Sequence, residues 1–279
     1  MLVGVLDTGI DADHAEFKSR QVEFRYFSPS ALDGATPRNV RGFDTDGHGT
    51  HVCGIIAGKR LGLASGVNLH VAAVIESETM RASLWRTVYG LDWMFRLFTR
   101  EQFFNVPCVV NLSLCFFEDR MTAEEVEDWS LVLGRAIDDL NRKDALVVAA
   151  AGNRGKGLIG LPAKFHNVLA IGAVDSSGKV ADFSGLPTAG ARRDLYGYGV
   201  DIHSAFERSK DGLSHYMSLN GTSMAAPYVA GIASMLRQTN PGASARDVRD
   251  HLLASAIDVG NGVRIARFQH WPGGLKTGT

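Results

Sequence analysis

Leu2-Val3-Gly4-Val5-Leu6-Asp7-Thr8-Gly9-Ile10 carries an unbroken apolar run straight into a carboxylate and a glycine turn. A run this short and this apolar reads as a strand buried on both faces, the kind found in parallel sheets covered by helices. Further runs of the same character occupy residues 69–75, 108–112, 145–151 and 168–174. Between them lie stretches of helical periodicity. Residues 83–98 set Leu84, Val88, Leu91, Phe95 and Phe98 on one face, and residues 122–141 do the same with Val126, Trp129, Leu133, Ile137 and Leu140 behind a Thr122-x-x-Glu125 capping box. A second box, Ser244-x-x-Asp247, precedes Val248, Leu252 and Leu253 after an Asn240-Pro241-Gly242 turn. Strands alternating with helices predict an α/β fold in three layers, a mostly parallel central sheet with helices on both faces.

The composition agrees. The chain has 279 residues, 45% hydrophobic and 21% charged, an ordinary globular profile large enough to fold on packing alone. Lys and Arg number 29 against 30 Asp and Glu, so the net charge of −1 gives no support to nucleic acid or an anionic membrane as partner. Cys53, Cys108 and Cys115 fit neither a zinc site nor a redox pair and read as reduced thiols. Residues 212–236 lack Asp, Glu, Lys and Arg, but His215, Asn220 and Pro227 among several Gly and Ser argue against a membrane span. The first residues show no secretory leader pattern, so the expected location is cytoplasmic. One domain is expected over residues 1–271, with a mobile surface loop over 34–46 and a flexible tail over 272–279.

Chemistry concentrates in three segments. Asp7 ends a strand where α/β folds expose functional groups, although an Asp there is more often a turn or a cap. In Asp46-Gly47-His48-Gly49-Thr50-His51-Val52-Cys53-Gly54, the glycines flanking His48 favour a ring facing a cleft. His51 reads as a packing or structural residue, and no third ligand makes the two histidines a metal site. In Asn220-Gly221-Thr222-Ser223-Met224-Ala225-Ala226-Pro227, Ser223 opens a helix of small residues, and the free N–H groups of that helix end favour negative charge. Asp, His and Ser in this order match one chain order of the Ser-His-Asp triad. A serine hydroxyl is a poor nucleophile until an imidazole takes its proton, and a carboxylate holds that imidazole in one tautomer.

At these residues the chain resembles the subtilisin-like serine proteases, the subtilase family. Asp7-Thr8-Gly9-Ile10 matches the family's aspartate motif, His48-Gly49-Thr50-His51-Val52-x-Gly54 its histidine motif, and Gly221-Thr222-Ser223-Met224-Ala225-x-Pro227 its serine motif. The resemblance runs from Val3 to about Ala256 and implies a subtilisin-like fold. It implies a serine endopeptidase that acts through an acyl-enzyme, with Asp7, His48 and Ser223 as the triad. Ala149-Ala150-Ala151-Gly152-Asn153 is similar to the segment whose Asn donates to the oxyanion, which makes Asn153 the fourth catalytic candidate. Ser113, Leu114 and Cys115 resemble the strand end that pairs with an extended polypeptide substrate, and Ala151 and Gly152, beside Asn153, join them as substrate-binding candidates. Gly160 aligns with the floor of the primary specificity pocket, which implies room for a sizeable side chain. The family often has Gly where Cys115 stands, and a side chain there narrows the groove or asks for a small substrate residue. If Arg154, beside Asn153, reaches the pocket rim, an acidic residue before the scissile bond is tolerated or preferred and a basic one disfavoured.

Three departures qualify the resemblance. Relatives have a couple of dozen residues before the aspartate strand, where Asp7 here comes almost at once. Secreted relatives carry an inhibitory propeptide, so an inhibitor or activator partner is expected in its place. The loop after the histidine helix is short and contains Lys59 and Arg60 where relatives often bind calcium, so no metal is expected there and no cofactor is required. Glu16 then reads as a ligand-like residue left without partners. Two other readings stay open: a silent or latent binding scaffold, and an esterase or ligase using the same acyl-enzyme.

Overall fold

The computed structural model describes residues 1–28, 41–76, 80–186 and 194–271. In chain order its elements are β1 (Leu2–Asp7), β2 (Val22–Tyr26), α1 (His48–Ala57), β3 (Asn68–Ala73), α2 (Met80–Phe98), β4 (Cys108–Leu112), α3 (Ala123–Arg142), β5 (Ala145–Ala150), β6 (Leu169–Val174), β7 (Leu195–Tyr198), β8 (Ile202–Phe206), β9 (His215–Leu219), α4 (Thr222–Thr239), α5 (Ala245–Ser255), β10 (Ile257–Asp258) and β11 (Arg264–Ile265). Among the described residues nine strands form one sheet in the order β10-β11-β7-β6-β5-β4-β1-β3-β2, parallel throughout except for the β10–β11 pair. β8 and β9 form a separate antiparallel hairpin.

Strand alternation divides the apolar runs between two cores. Val3 and Val5 of β1 enter one cluster with Val52 and Ile56 of α1, Val229 and Ile232 of α4, and Leu252 of α5. Leu2 and Leu6 enter the other, with Leu84 and Leu91 of α2 and Leu133 and Ile137 of α3. Every residue of β1, β4, β5 and β6 is buried, as a sheet covered on both faces requires. The three-layer α/β architecture expected from the sequence is the one found.

Both predicted capping boxes are formed: Thr122 and Glu125 close the start of α3, and Ser244 and Asp247 the start of α5. The strand expected over 69–75 stops at Ala73, because the next two N–H groups, of Val74 and Ile75, both turn onto the Asp7 carbonyl at 2.8 and 3.2 Å. β2, β7 and the β8–β9 hairpin were not foreseen. Of the loop expected over 34–46, residues 34–40 lie outside the described residues, as does the tail expected over 272–279.

β1 lies between β3 and β4, so β2 and β3 extend to one side and β4 to β7 to the other. Open parallel sheets leave a crevice at the carboxyl end of the strand where the order diverges. Asp7 ends that strand.

Candidate active site

Backbone packing brings the first two motifs together. A Cβ on Gly49 would lie 2.2 Å from the Gly9 carbonyl oxygen, so only a glycine lets the first turn of α1 rest on the turn that follows β1. Gly47, at φ 95°, enters the helix in the left-handed region with the Phe206 ring where a side chain would stand. With the backbones in contact, His48 Nδ1 reaches Asp7 Oδ1 at 2.6 Å. Asp7 is fully buried, and its Oδ1 also accepts from the Thr8 N–H at 2.8 Å. The imidazole is about a quarter exposed, its side chain 26% accessible, so its far edge reaches the cleft.

Asp44 organises this corner, and the sequence reading missed it. Its Oδ1 accepts from Thr8 Oγ1 at 2.7 Å, and its Oδ2 from Thr50 N–H and Thr50 Oγ1 at 2.7 and 2.6 Å. Asp44 thereby supplies the helix-start acceptor that Gly47 cannot, and Thr8 Oγ1 in turn accepts from Gly49 N–H at 2.9 Å. The described end of the expected mobile loop is therefore anchored. An Asp a few residues before a helix start was the available signal. Burial opposes the charged form of His48, but Asp7 beside it, with Asp44 and Asp46 behind, outweighs burial and raises its pKa to about 9.

The third motif starts α4. Pro227 has no N–H, so the Ser223 carbonyl lacks its partner one turn along the helix, and Ser113 Oγ donates to it instead at 2.8 Å. Ser113 is itself held by Asn111 Nδ2 at 2.9 Å. Ser223 Oγ donates to the Ser113 carbonyl at 3.2 Å, and among the described residues no hydrogen bond joins it to His48. Asn153 follows β5. Its Oδ1 accepts from both Thr222 N–H and Thr222 Oγ1 at 2.9 Å, which turns Nδ2 outward. Thr222 Oγ1 also accepts from Gly152 N–H at 3.1 Å, so this one buried hydroxyl ties α4 to the end of β5; the sequence reading passed over it. A cleft of about 470 Å³ opens beside His48 and Ser113, lined also by Thr8, Thr45, Asp46, Ile75 and Glu76.

The remaining site candidates form the ground beside Ser223. Ser113, Leu114 and Cys115 continue beyond β4, facing Ala151 and Gly152 beyond β5, and Gly160 N–H donates to the Ala151 carbonyl at 3.2 Å. Two expectations change here. Arg154 is not a free cation: its Nη1 contacts both Asp119 oxygens at 2.8 and 2.7 Å, and its guanidinium lies 4.0 Å from the centre of the Phe117 ring. The space above Gly160 is not open either, because Cys115 Sγ stands against it.

Glu16 also differs from expectation. It is fully buried and accepts from Arg60 N–H at 2.8 Å, Arg60 Nε at 2.9 Å and Tyr216 OH at 3.1 Å. Burial alone would raise its pKa, but these donors more than offset that and lower it. A guanidinium already holds the carboxylate, so these residues do not fit calcium. His51 is buried and neutral, its pKa lowered to about 4 by burial, and Nε2 joins the Ile202 and Met217 carbonyls at 2.9 and 3.0 Å.

A parallel α/β sheet with these groups gathered at its carboxyl edge has the form of a serine endopeptidase, a hydrolase. Known proteins agree. The model of the subtilase family matches residues 1–271, and the chain belongs to that family. Subtilisin-like protease PopC of Myxococcus xanthus is 46% identical over 264 residues, 92% of this chain and 55% of its own length. The chain thus spans about half of that relative. Subtilisin DY of Bacillus licheniformis is 33% identical over 270 residues, covering 93% of this chain and 84% of the relative. A cold-adapted subtilisin-like serine proteinase of known structure superposes with a TM-score of 0.73 at 27% identity, covering 95% of this chain and 86% of that one.

Proposed function

We propose that the chain hydrolyses internal peptide bonds of extended polypeptide segments through a covalent acyl-enzyme on Ser223. The observation that carries this reading is the 2.6 Å bond from His48 Nδ1 to the buried Asp7, which leaves Nε2 as the base on the cleft side. Ser223 Oγ turns from the Ser113 carbonyl toward Nε2, gives up its proton and bonds to the scissile carbonyl carbon; such hydrogen bonds commonly tighten only when substrate binds. The carbonyl oxygen takes the displaced electron pair and lies between Asn153 Nδ2 and the Ser223 N–H, at the electropositive start of α4. The C–N bond then breaks as His48 passes its proton to the leaving amine. Water, deprotonated by the same imidazole, releases the acid and restores Ser223. The substrate adds as an extended strand along residues 113–115.

Asp7→Asn tests the reading. In the Ser-His-Asp mechanism this change leaves the imidazole in the wrong tautomer and costs ~10⁴ in kcat, a figure known from another enzyme of the same triad. Turnover of an unfolded polypeptide should fall by that order with KM little changed. Turnover kept within tenfold would overturn the assignment.

A further inference from the structure

Gly160, which the family resemblance places at the floor of the primary specificity pocket, and Gly152, beside Asn153, both face one atom. A Cβ on Gly160 would stand 2.3 Å from Cys115 Sγ and 2.6 Å from the Phe116 carbonyl oxygen; a Cβ on Gly152 would stand 2.9 Å from the same sulfur. Sγ therefore rests in contact with both glycine backbones, in the space their missing side chains leave open. It is fastened there by the Ala151 carbonyl, 3.6 Å away. The outer side is closed as well. The Phe117 ring lies 2.7 Å from where a Gly152 Cβ would be, and Arg154 stacks on that ring while paired with Asp119.

We infer that Cys115 fills the primary pocket and restricts the residue before the scissile bond to small side chains such as Ala, Gly or Ser. The inference rests on the proteolytic reading of the cleft and adds its substrate class. A pocket bounded by bare glycine backbone takes a large side chain only if the space above the glycines is free; here a sulfur and its methylene occupy it. Burial drives the Cys115 pKa up to about 12, so the group is a neutral thiol acting through its bulk. The backbone around it offers little relief, because Phe116 and Leu161 exchange two hydrogen bonds of 2.8 Å beside Gly160.

The test uses peptide nitroanilides identical except for Ala or Phe before the scissile bond, with the purified chain and its Cys115→Gly, Cys115→Ala and Cys115→Ser variants. The parent is expected to favour Ala over Phe in kcat/KM by at least ~10–200-fold, the range for a single misfitted methylene, which a phenyl ring exceeds. Cys115→Gly should raise the Phe-to-Ala ratio of kcat/KM at least tenfold. Cys115→Ala should move the ratio the same way by less, and it carries the test if the glycine variant does not fold. Cys115→Ser, of nearly equal size, should keep the parent ratio. A parent that cleaves both peptides alike, a ratio unmoved by Gly and Ala, or a ratio opened as far by Ser as by Gly would overturn the inference. Folded parent protein that turns over neither peptide and takes no serine-directed label would instead remove the proteolytic reading, and this inference with it.

Discussion

Thr222→Val removes the hydroxyl that joins the two halves of the proposed oxyanion site while nearly preserving shape. Thr222 Oγ1 donates to Asn153 Oδ1 at 2.9 Å and accepts from Gly152 N–H at 3.1 Å, and the Thr222 N–H keeps its own 2.9 Å bond to Asn153. The variant thus loses one of the two bonds orienting the Asn153 amide. Complete loss of the corresponding Asn donor costs ~10²–10³ in kcat, a value measured on subtilisin rather than obtained from this structure. Loss of one of two restraints, worth about one neutral hydrogen bond, should lower kcat about tenfold. KM should change less than about twofold, because the oxyanion forms only in the transition state. The buried Gly152 N–H also loses its acceptor, at a cost of ~1–3 kcal/mol, so Tm should fall by a few degrees. Steady-state kinetics on a soluble peptide and a thermal melt read both quantities. Thr222→Ser should restore both. A Thr222→Val enzyme with parental kcat, or one whose whole defect lies in KM, would refute the positioning role.

The pKa of His48 is raised, so the neutral imidazole needed as base accumulates only as pH rises. kcat/KM should climb through the neutral range with a midpoint well above 6.5, toward 9, and Asp46→Asn should move that midpoint down. A midpoint at or below 6.5 would contradict the electrostatic picture. Arg60→Ala leaves the Glu16 carboxylate buried with weaker donors, and Tm should drop at pH 7. The folded-state pKa of Glu16 is depressed below its ordinary 4.5, so the stabilisation is present above that value and is lost as pH falls through the folded one. The gap between variant and parent should therefore close in acid. Because Asp119 holds Arg154, peptides with Glu or Gln before the scissile bond should be cleaved equally slowly, and Asp119→Asn should favour Glu over Gln; a strong Glu preference in the parent would show Arg154 free.

What the sequence disclosed follows from the range of each interaction. Apolar runs such as 145–151 and the boxes at Thr122 and Ser244 are decided within a few residues, and they appear almost where read. The motifs around Asp7, His48 and Ser223 were legible because the glycines and small residues that bring backbones together sit beside the reactive groups. β2, with every residue half-buried, and β9, largely exposed, lack the apolar signal that marks the central strands. The partnerships of Glu16 with Arg60, Arg154 with Asp119 and Cys115 with Gly160 span 44, 35 and 45 positions, and no local pattern encodes them. Each of these altered an expectation that treated one partner alone.

Covalent labelling by a fluorophosphonate, read by intact mass and by the modified peptide, addresses Ser223 directly. The parent should gain one adduct on Ser223, faster as pH rises, while Ser223→Ala gains none and His48→Ala reacts far more slowly. Folded parent protein that stays unlabelled, or labelling that persists in Ser223→Ala, would contradict the assignment of Ser223 as the nucleophile.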